Sequence, residues 1–240
     1  MHTTLTPLRA ALLAATVSLF GLGPAPALAR APAAAPQVPE QVSNAAWEED
    51  MARFAKADAA HPPKPHGVLF VGSSSIRFWE SLAADFPGVE VINRGFGGSE
   101  IRDSTWYADR IVVPYKPRLV VFYAGDNDLN SGRSPQQLRE DFVAFVARVR
   151  RDLPRTRIAY ISVKPSPARA QLMPKMAEAN RLIRQAAAGM RQVDFIDVYT
   201  PMLGSDGQPR RELFGDDQLH MTAAGYALWR DTVRPYLAAH

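Results

Sequence analysis

The chain has 240 residues, 47% hydrophobic and 22% charged, which excludes a disordered polymer and leaves room for one compact domain with a sizeable core. Its formal net charge of +4 is mild and gives no reason to expect a nucleic-acid partner. The absence of cysteine excludes a disulfide framework, a thiolate metal site, a cysteine nucleophile and a lipid-modified N-terminal cysteine.

Residues 1–29 read as a secretory signal peptide. Arg9 precedes a mostly apolar run from Ala10 to Leu22, and Ala27-Leu28-Ala29 fits the small-x-small cleavage rule. That run is shorter than the ~18 apolar residues of a spanning helix, so the expectation is export to the periplasm or the medium, without stable membrane insertion after cleavage. An Ala/Pro-rich linker over 30–42 follows, and a single folded domain is expected over 43–240. Its first element is an extra N-terminal helix, in which Trp47, Met51, Phe54 and Ala55 recur at helical spacing behind the caps Ser43 and Asn44. The stretch His61-Pro-Pro-Lys-Pro-His66 ends it, and its prolines mark both histidines as loop residues rather than ligands.

From Val68 onward short apolar runs alternate with helical patterns. Val68–Val71, Val89–Ile92, Leu119–Tyr123, Ile158–Val163 and Val193–Val198 read as five strands. The spacers are long enough for helices, so βαβ units around a parallel sheet are expected. Ser134-Pro135-Gln136-Gln137 is a capping box with proline at the first helical position, and its helix ends at Pro154. Further helices are expected over Pro174–Ala188, stopped by Gly189, and after Thr222. The basic residues Arg148, Arg150, Arg151, Arg155 and Arg157 have no interleaved aromatics and read as a solvated helix end.

In such a sheet ligands bind beyond the carboxyl ends of the strands. Three polar loops stand there: Gly72-Ser73-Ser74-Ser75 after the first strand, Asn93-Arg-Gly-Phe-Gly-Gly98 after the second, and Gly125-Asp126-Asn127-Asp128 after the third. A fourth block, Asp217-Gln-Leu-His220, follows the fifth strand. A serine hydroxyl is a poor nucleophile unless a neutral imidazole takes its proton and a carboxylate holds that imidazole in the right tautomer, and this chain supplies all three residue types.

These blocks, in this order from Val68 to the C-terminus, resemble the SGNH hydrolases, also called the GDSL esterase and lipase superfamily. The resemblance implies an α/β three-layer sandwich with a five-stranded parallel sheet in flavodoxin-like order. It assigns Ser74 as nucleophile, with Ser73 and Ser75 as neighbouring alternatives, His220 as general base and Asp217 as its orienting carboxylate. It also assigns the Ser74 N–H, the Gly98 N–H and the Asn127 side chain to an oxyanion hole. Local chemistry agrees, because a serine at a strand-to-helix turn presents its oxygen to solvent and a helix N-terminus favours developing negative charge.

Two departures stand out. Ser73 replaces the family's aspartate, so any ordering role of that carboxylate passes to a hydroxyl or is absent. Asp126 adds a carboxylate beside Asn127, which would raise the His220 pKa if it faced the site.

The leading expectation is an exported esterase acting through an acyl-serine on small-molecule or glycan esters, with no metal and no cofactor. Trp79, Phe96, Trp106, Tyr107 and Phe214 are candidates for a pocket or sugar platform, with core packing as the alternative. The absence of a long apolar insertion favours short acyl groups such as acetyl. Three other readings stay open: an O-acyltransferase on the same site, a flavodoxin-like phosphate- or flavin-binding module using Ser73 to Ser75, and a metal hydrolase using Asp126, Asp128, Asp216, Asp217 and His220. Oligomeric state is not encoded in these patterns.

Overall fold

The computed structural model describes residue 2 and residues 44–238. Apart from residue 2, the segment expected to be a signal peptide (1–29), the expected linker over 30–42 and the expected Ser43 cap lie outside the described residues.

Helix α1 (Asn44–Ala60) leads into strand β1 (Val68–Gly72) and the single turn α2 (Ser74–Arg77). There follow α3 (Leu82–Asp85), β2 (Val91–Gly95), α4 (Ile101–Trp106), α5 (Ala108–Ile111) and β3 (Leu119–Tyr123). The chain continues through α6 (Asp126–Asn130), α7 (Pro135–Asp152), β4 (Arg157–Ile161), α8 (Met173–Ala188), β5 (Val193–Ile196) and α9 (Ala223–Val233).

The five strands form one all-parallel sheet in the order β2-β1-β3-β4-β5, the flavodoxin-like order expected from the blocks. Both faces are covered, which is why β1 and β3 are apolar at nearly every position rather than alternating. Leu69, Val71, Val120, Phe122, Ile158 and Tyr160 pack on one side with residues of α1, α4, α5, α7 and α8. Val68, Phe70, Val121, Tyr123, Ala159 and Ile161 pack on the other with Ile76, Leu82 and residues of α9. The result is a three-layer sandwich.

Strand β2 begins and ends later than its apolar residues suggest, because tertiary partners satisfy its polar ones. The Asn93 amide donates to the Ile76 carbonyl at 2.7 Å and its oxygen accepts from the Gly95 N–H at 2.8 Å. Arg94 stacks over Phe54 and Tyr115 and pairs with Asp58, which fastens α1 to the sheet. The capping box of α7 forms as expected, with Ser134 Oγ accepting from the Gln137 N–H and Gln137 Oε1 from the Ser134 N–H. Arg148, expected to be solvated, is instead buried and paired with Asp109 and Asp152.

Register places the ends of three strands side by side, with Gly72 opposite both Gly95 and Tyr123. The chain reverses its direction of travel across the sheet between β1 and β3, so the loops after them flank the switch point.

Candidate active site

The turn that carries Ser73 to Ser75 is built around Gly72, whose φ of 143° lies outside the range of ordinary side chains. A Cβ there would sit 1.8 Å from the Tyr123 carbonyl oxygen. The close approach lets the Ser73 N–H reach that same carbonyl at 3.0 Å, prolonging the β1–β3 ladder by one residue before the chain turns. Ser74 is then the first residue of α2 and is partly exposed, whereas Ser73 and Ser75 are buried. From the opposite side the Tyr226 hydroxyl on α9 donates to the Ser75 carbonyl at 3.0 Å. Because α2 is a single turn, little macrodipole acts on Ser74. Its own N–H, among the first of the helix, is the donor the turn can offer.

Ser73, in place of the family's aspartate, makes no side-chain cap, and its buried Oγ has no hydrogen-bond partner. No side-chain hydrogen bond from position 73 orders the turn, which is held by backbone hydrogen bonds such as that from the Ser73 N–H to the Tyr123 carbonyl.

The Asp217 to His220 turn is closed by its own backbone. Gly215 N–H donates to the His220 carbonyl at 2.8 Å, Gln218 N–H donates to the Gly215 carbonyl at 2.9 Å, and Phe214 pairs with Met221 in an antiparallel bridge. Gln218 takes a left-handed φ of 54° to complete it. Asp217 Oδ1 accepts the N–H groups of Leu219 and His220, both at 2.9 Å, which leaves Oδ2 to meet His220 Nδ1 at 2.5 Å. Partial burial pushes the Asp217 carboxyl up, but these two backbone donors and the imidazole outweigh it and hold the group down to about 2. With Nδ1–H directed to the carboxylate, His220 Nε2 carries the free lone pair, and it lies 2.9 Å from Ser74 Oγ.

Gly98, at φ 76°, faces the Trp47 ring of α1, 3.4 Å from where a Cβ would stand. The adjacent Ser99 carbonyl accepts from Asn127 Nδ2 at 3.1 Å, joining the second and third loops. Asn127 Oδ1 accepts in turn from Arg169 at 3.0 Å.

Asp126 is buried against Lys164 and Arg169, at 3.2 and 3.0 Å. Desolvation pushes its carboxyl up, but the charges of Lys164 and Arg169 overcome this and hold it below its ordinary value. Two cations thus compensate the Asp126 carboxylate. Asp128 is fully buried and accepts the Ile101 N–H at the start of α4, a structural role. Among the described residues no group of three or more His, Asp or Glu is placed to hold a metal, so the five metal-ligand candidates do not assemble.

The aromatic candidates sort toward the core. Trp79, Phe96, Tyr107 and Phe214 are buried, and Trp106 is half-buried against the same packing. The aromatic at the site is Phe78, four residues after Ser74 and 43% exposed, with its ring 5.0 Å from the His220 ring in an edge arrangement. Lys164, Arg169 and Phe78 were not legible as site residues, since each depends on contacts that spacing does not encode.

The GDSL-like Lipase/Acylhydrolase family pattern matches residues 66–228, more than half of the chain. No curated protein sequence matches. Among solved structures, a GDSL-like lipase from Bacteroides thetaiotaomicron superposes with a TM-score of 0.66 at 20% identity, covering 78% of this chain and 96% of that one. An acetyl-xylooligosaccharide esterase from Geobacillus gives 0.60 at 14% identity, over 74% and 97% of the two chains. A carbohydrate esterase family 3 protein from Talaromyces cellulolyticus gives 0.57 at 16%, over 72% and 96%. At these identities the structural likenesses speak for the fold, while the pattern, matching from just before β1 into α9, speaks for descent: the chain belongs to the GDSL-like lipase/acylhydrolase family and is an ester hydrolase.

Proposed function

We propose that the chain is an exported serine esterase that removes short acyl groups, acetyl above all, from carbohydrate or other small-molecule esters. The observation that carries this reading is the relay from Asp217 Oδ2 through both nitrogens of His220 to Ser74 Oγ, at 2.5 and 2.9 Å.

In the first half-reaction Ser74 Oγ attacks the ester carbonyl carbon as its proton passes to His220 Nε2. Asp217, ionised and already bonded to Nδ1–H, stabilises the imidazolium. The carbonyl oxygen becomes an oxyanion received by the Ser74 N–H, the Gly98 N–H and Asn127 Nδ2. Asn127 Nδ2 has two protons and Ser99 takes one, so one remains for the substrate. Each such donor is worth about 2.7–4 kcal/mol of transition-state stabilisation. Collapse expels the alcohol, which takes the proton from His220 and leaves acyl-Ser74. Water then repeats the cycle, giving up a proton to His220 and releasing the acid.

Three features support the substrate preference. The sequence has no long apolar insertion to stand over Ser74, Phe78 offers an exposed aromatic face of the kind sugar rings stack on, and two structural relatives are named as carbohydrate esterases. Export rests on the leader over 1–29, with the periplasm or the medium as destination. The test is hydrolysis of nitrophenyl acetate by wild type and Ser74→Ala, extended to acetylated glycans and longer acyl esters. Activity that survives Ser74→Ala, or that resists a serine-directed phosphonate, would overturn the acyl-serine mechanism. A rate rising with acyl length would overturn the short-chain preference.

A further inference from the structure

We propose that Arg169 is a positioning residue for ester hydrolysis, acting through Asn127: it holds the side-chain amide in the orientation that presents Nδ2 to the oxyanion and polarises that amide toward donation. The proposal rests on the oxyanion role given to Asn127 above.

An asparagine amide has two ends of nearly equal shape, and only one of them can donate. Turned over, Asn127 would present its carbonyl to the developing negative charge. Its two neighbours forbid this. Arg169 has only donors and meets Oδ1 at 3.0 Å, while the Ser99 carbonyl has only an acceptor and meets Nδ2 at 3.1 Å. The flipped amide would face donor with donor and carbonyl with carbonyl, losing both bonds.

The guanidinium is itself aimed from behind. Its second arm donates to Asp126 Oδ2 at 3.0 Å, and Lys164 reaches the same oxygen at 3.2 Å from a position only 1% exposed. The two arms of one planar fork therefore span Asp126 and Asn127, a bridge that a lysine ammonium cannot reproduce. Lys164, Asp126 and Arg169 together carry one net positive charge. Through Oδ1 the cation withdraws electron density from the amide, which strengthens Nδ2–H as a donor. Arg169 belongs to the 3₁₀ segment Pro167–Leu172, and the preceding Ala168 N–H donates to the Gln218 carbonyl at 3.0 Å. The segment that supplies the guanidinium is thus tied to the turn that supplies Asp217 and His220. The additional carboxylate beside Asn127 also finds its purpose in this network, since Asp126 orients Arg169.

The test is steady-state hydrolysis of nitrophenyl acetate by the purified chain and by Arg169→Ala, Arg169→Lys, Asn127→Ala and the Asn127→Ala/Arg169→Ala double variant. Arg169→Ala is expected to lower kcat about 10- to 100-fold with KM within about 3-fold, and Arg169→Lys to fall between it and wild type. The double variant is expected to be no slower than Asn127→Ala alone. Added guanidinium should restore part of the Arg169→Ala rate and none of the double variant's. Should Arg169→Ala fail to fold, Arg169→Lys, which keeps a cation on Asp126, reads the same kcat.

An unchanged kcat in Arg169→Lys and Arg169→Ala overturns the proposal. So does a double variant whose loss is the product of the two single losses, or a change confined to KM, which would mean that Arg169 touches substrate. Those outcomes leave the oxyanion role of Asn127 standing. That role fails separately, and the proposal with it, if Asn127→Ala retains the wild-type kcat.

Discussion

The Phe78 ring stands edge-on to the His220 imidazole, their centroids 5.0 Å apart and their planes at 80°. A large apolar side chain left 43% exposed beside the proposed general base is a candidate contact for substrate. Phe78→Ala is expected to raise KM for an acetylated oligosaccharide by about 3- to 10-fold, the worth of one aromatic contact. Its KM for nitrophenyl acetate, which lacks a sugar ring, should change less. Comparing the two substrates on one preparation checks this.

Adjacent serines should respond in opposite ways. Ser74→Ala is expected to lower kcat on the order of 10⁶-fold without loss of thermal stability, since the partly exposed hydroxyl belongs to the relay. Ser73→Ala removes a buried hydroxyl that has no partner, so it should leave activity near wild type and stability equal or slightly higher. Denaturant midpoints and initial rates on both variants provide the comparison.

Asp217 sets a testable acid dependence. Its carboxyl is held down to about 2 in the folded chain, against an unfolded value of about 3.9. A depressed folded pKa contributes stability above the unfolded value and loses it as pH falls from about 4 toward 2. The side chain is half exposed, which keeps the contribution small. Asp217→Asn should therefore flatten the acid side of the stability curve between about pH 4 and 2, while at neutral pH its kcat falls by up to about 10⁴-fold through loss of the required tautomer. Urea denaturation across that pH range, paired with rates at neutral pH, measures both.

Gly72→Ala should disable the fold at the nucleophile turn. The added methyl meets the Tyr123 carbonyl at 1.8 Å with φ fixed at 143°, so a loss of more than about 3 kcal/mol is expected. A midpoint unchanged in urea would mean that the β1–β3 edge yields more readily than its geometry implies.

Sequence patterns are most informative where local chemistry and tertiary role coincide. Leu119–Tyr123, apolar throughout, forms β3 with the bounds its pattern implies, and Ser134 with Gln137 caps α7 as their spacing requires. The relay residues Ser74, Asp217 and His220 are readable because each stands in a short block after a strand. Strand β2 is offset from its apolar run because Asn93 and Arg94 look solvent-facing until Ile76, Tyr115 and Asp58 are seen to satisfy them. Arg169 is invisible in sequence for the same reason: its partner Asn127 lies 42 positions earlier, on the far side of β4 and α7. The five aromatics near the loops mostly fill the core, since proximity in sequence to a loop does not say which way a ring turns.

The order of pieces along the chain bears on when chemistry begins. All five strands are laid down by Ile196, with Ser74 already at their edge, yet Asp217, His220 and the Tyr226 hydroxyl that grips the Ser75 carbonyl come afterwards. A chain folded only as far as β5 would therefore carry the Ser74 hydroxyl without the imidazole that meets it. Proteolytic nicking between Ile196 and Asp217, followed by loss of the tail, would silence the enzyme while leaving every strand of its sheet in hand.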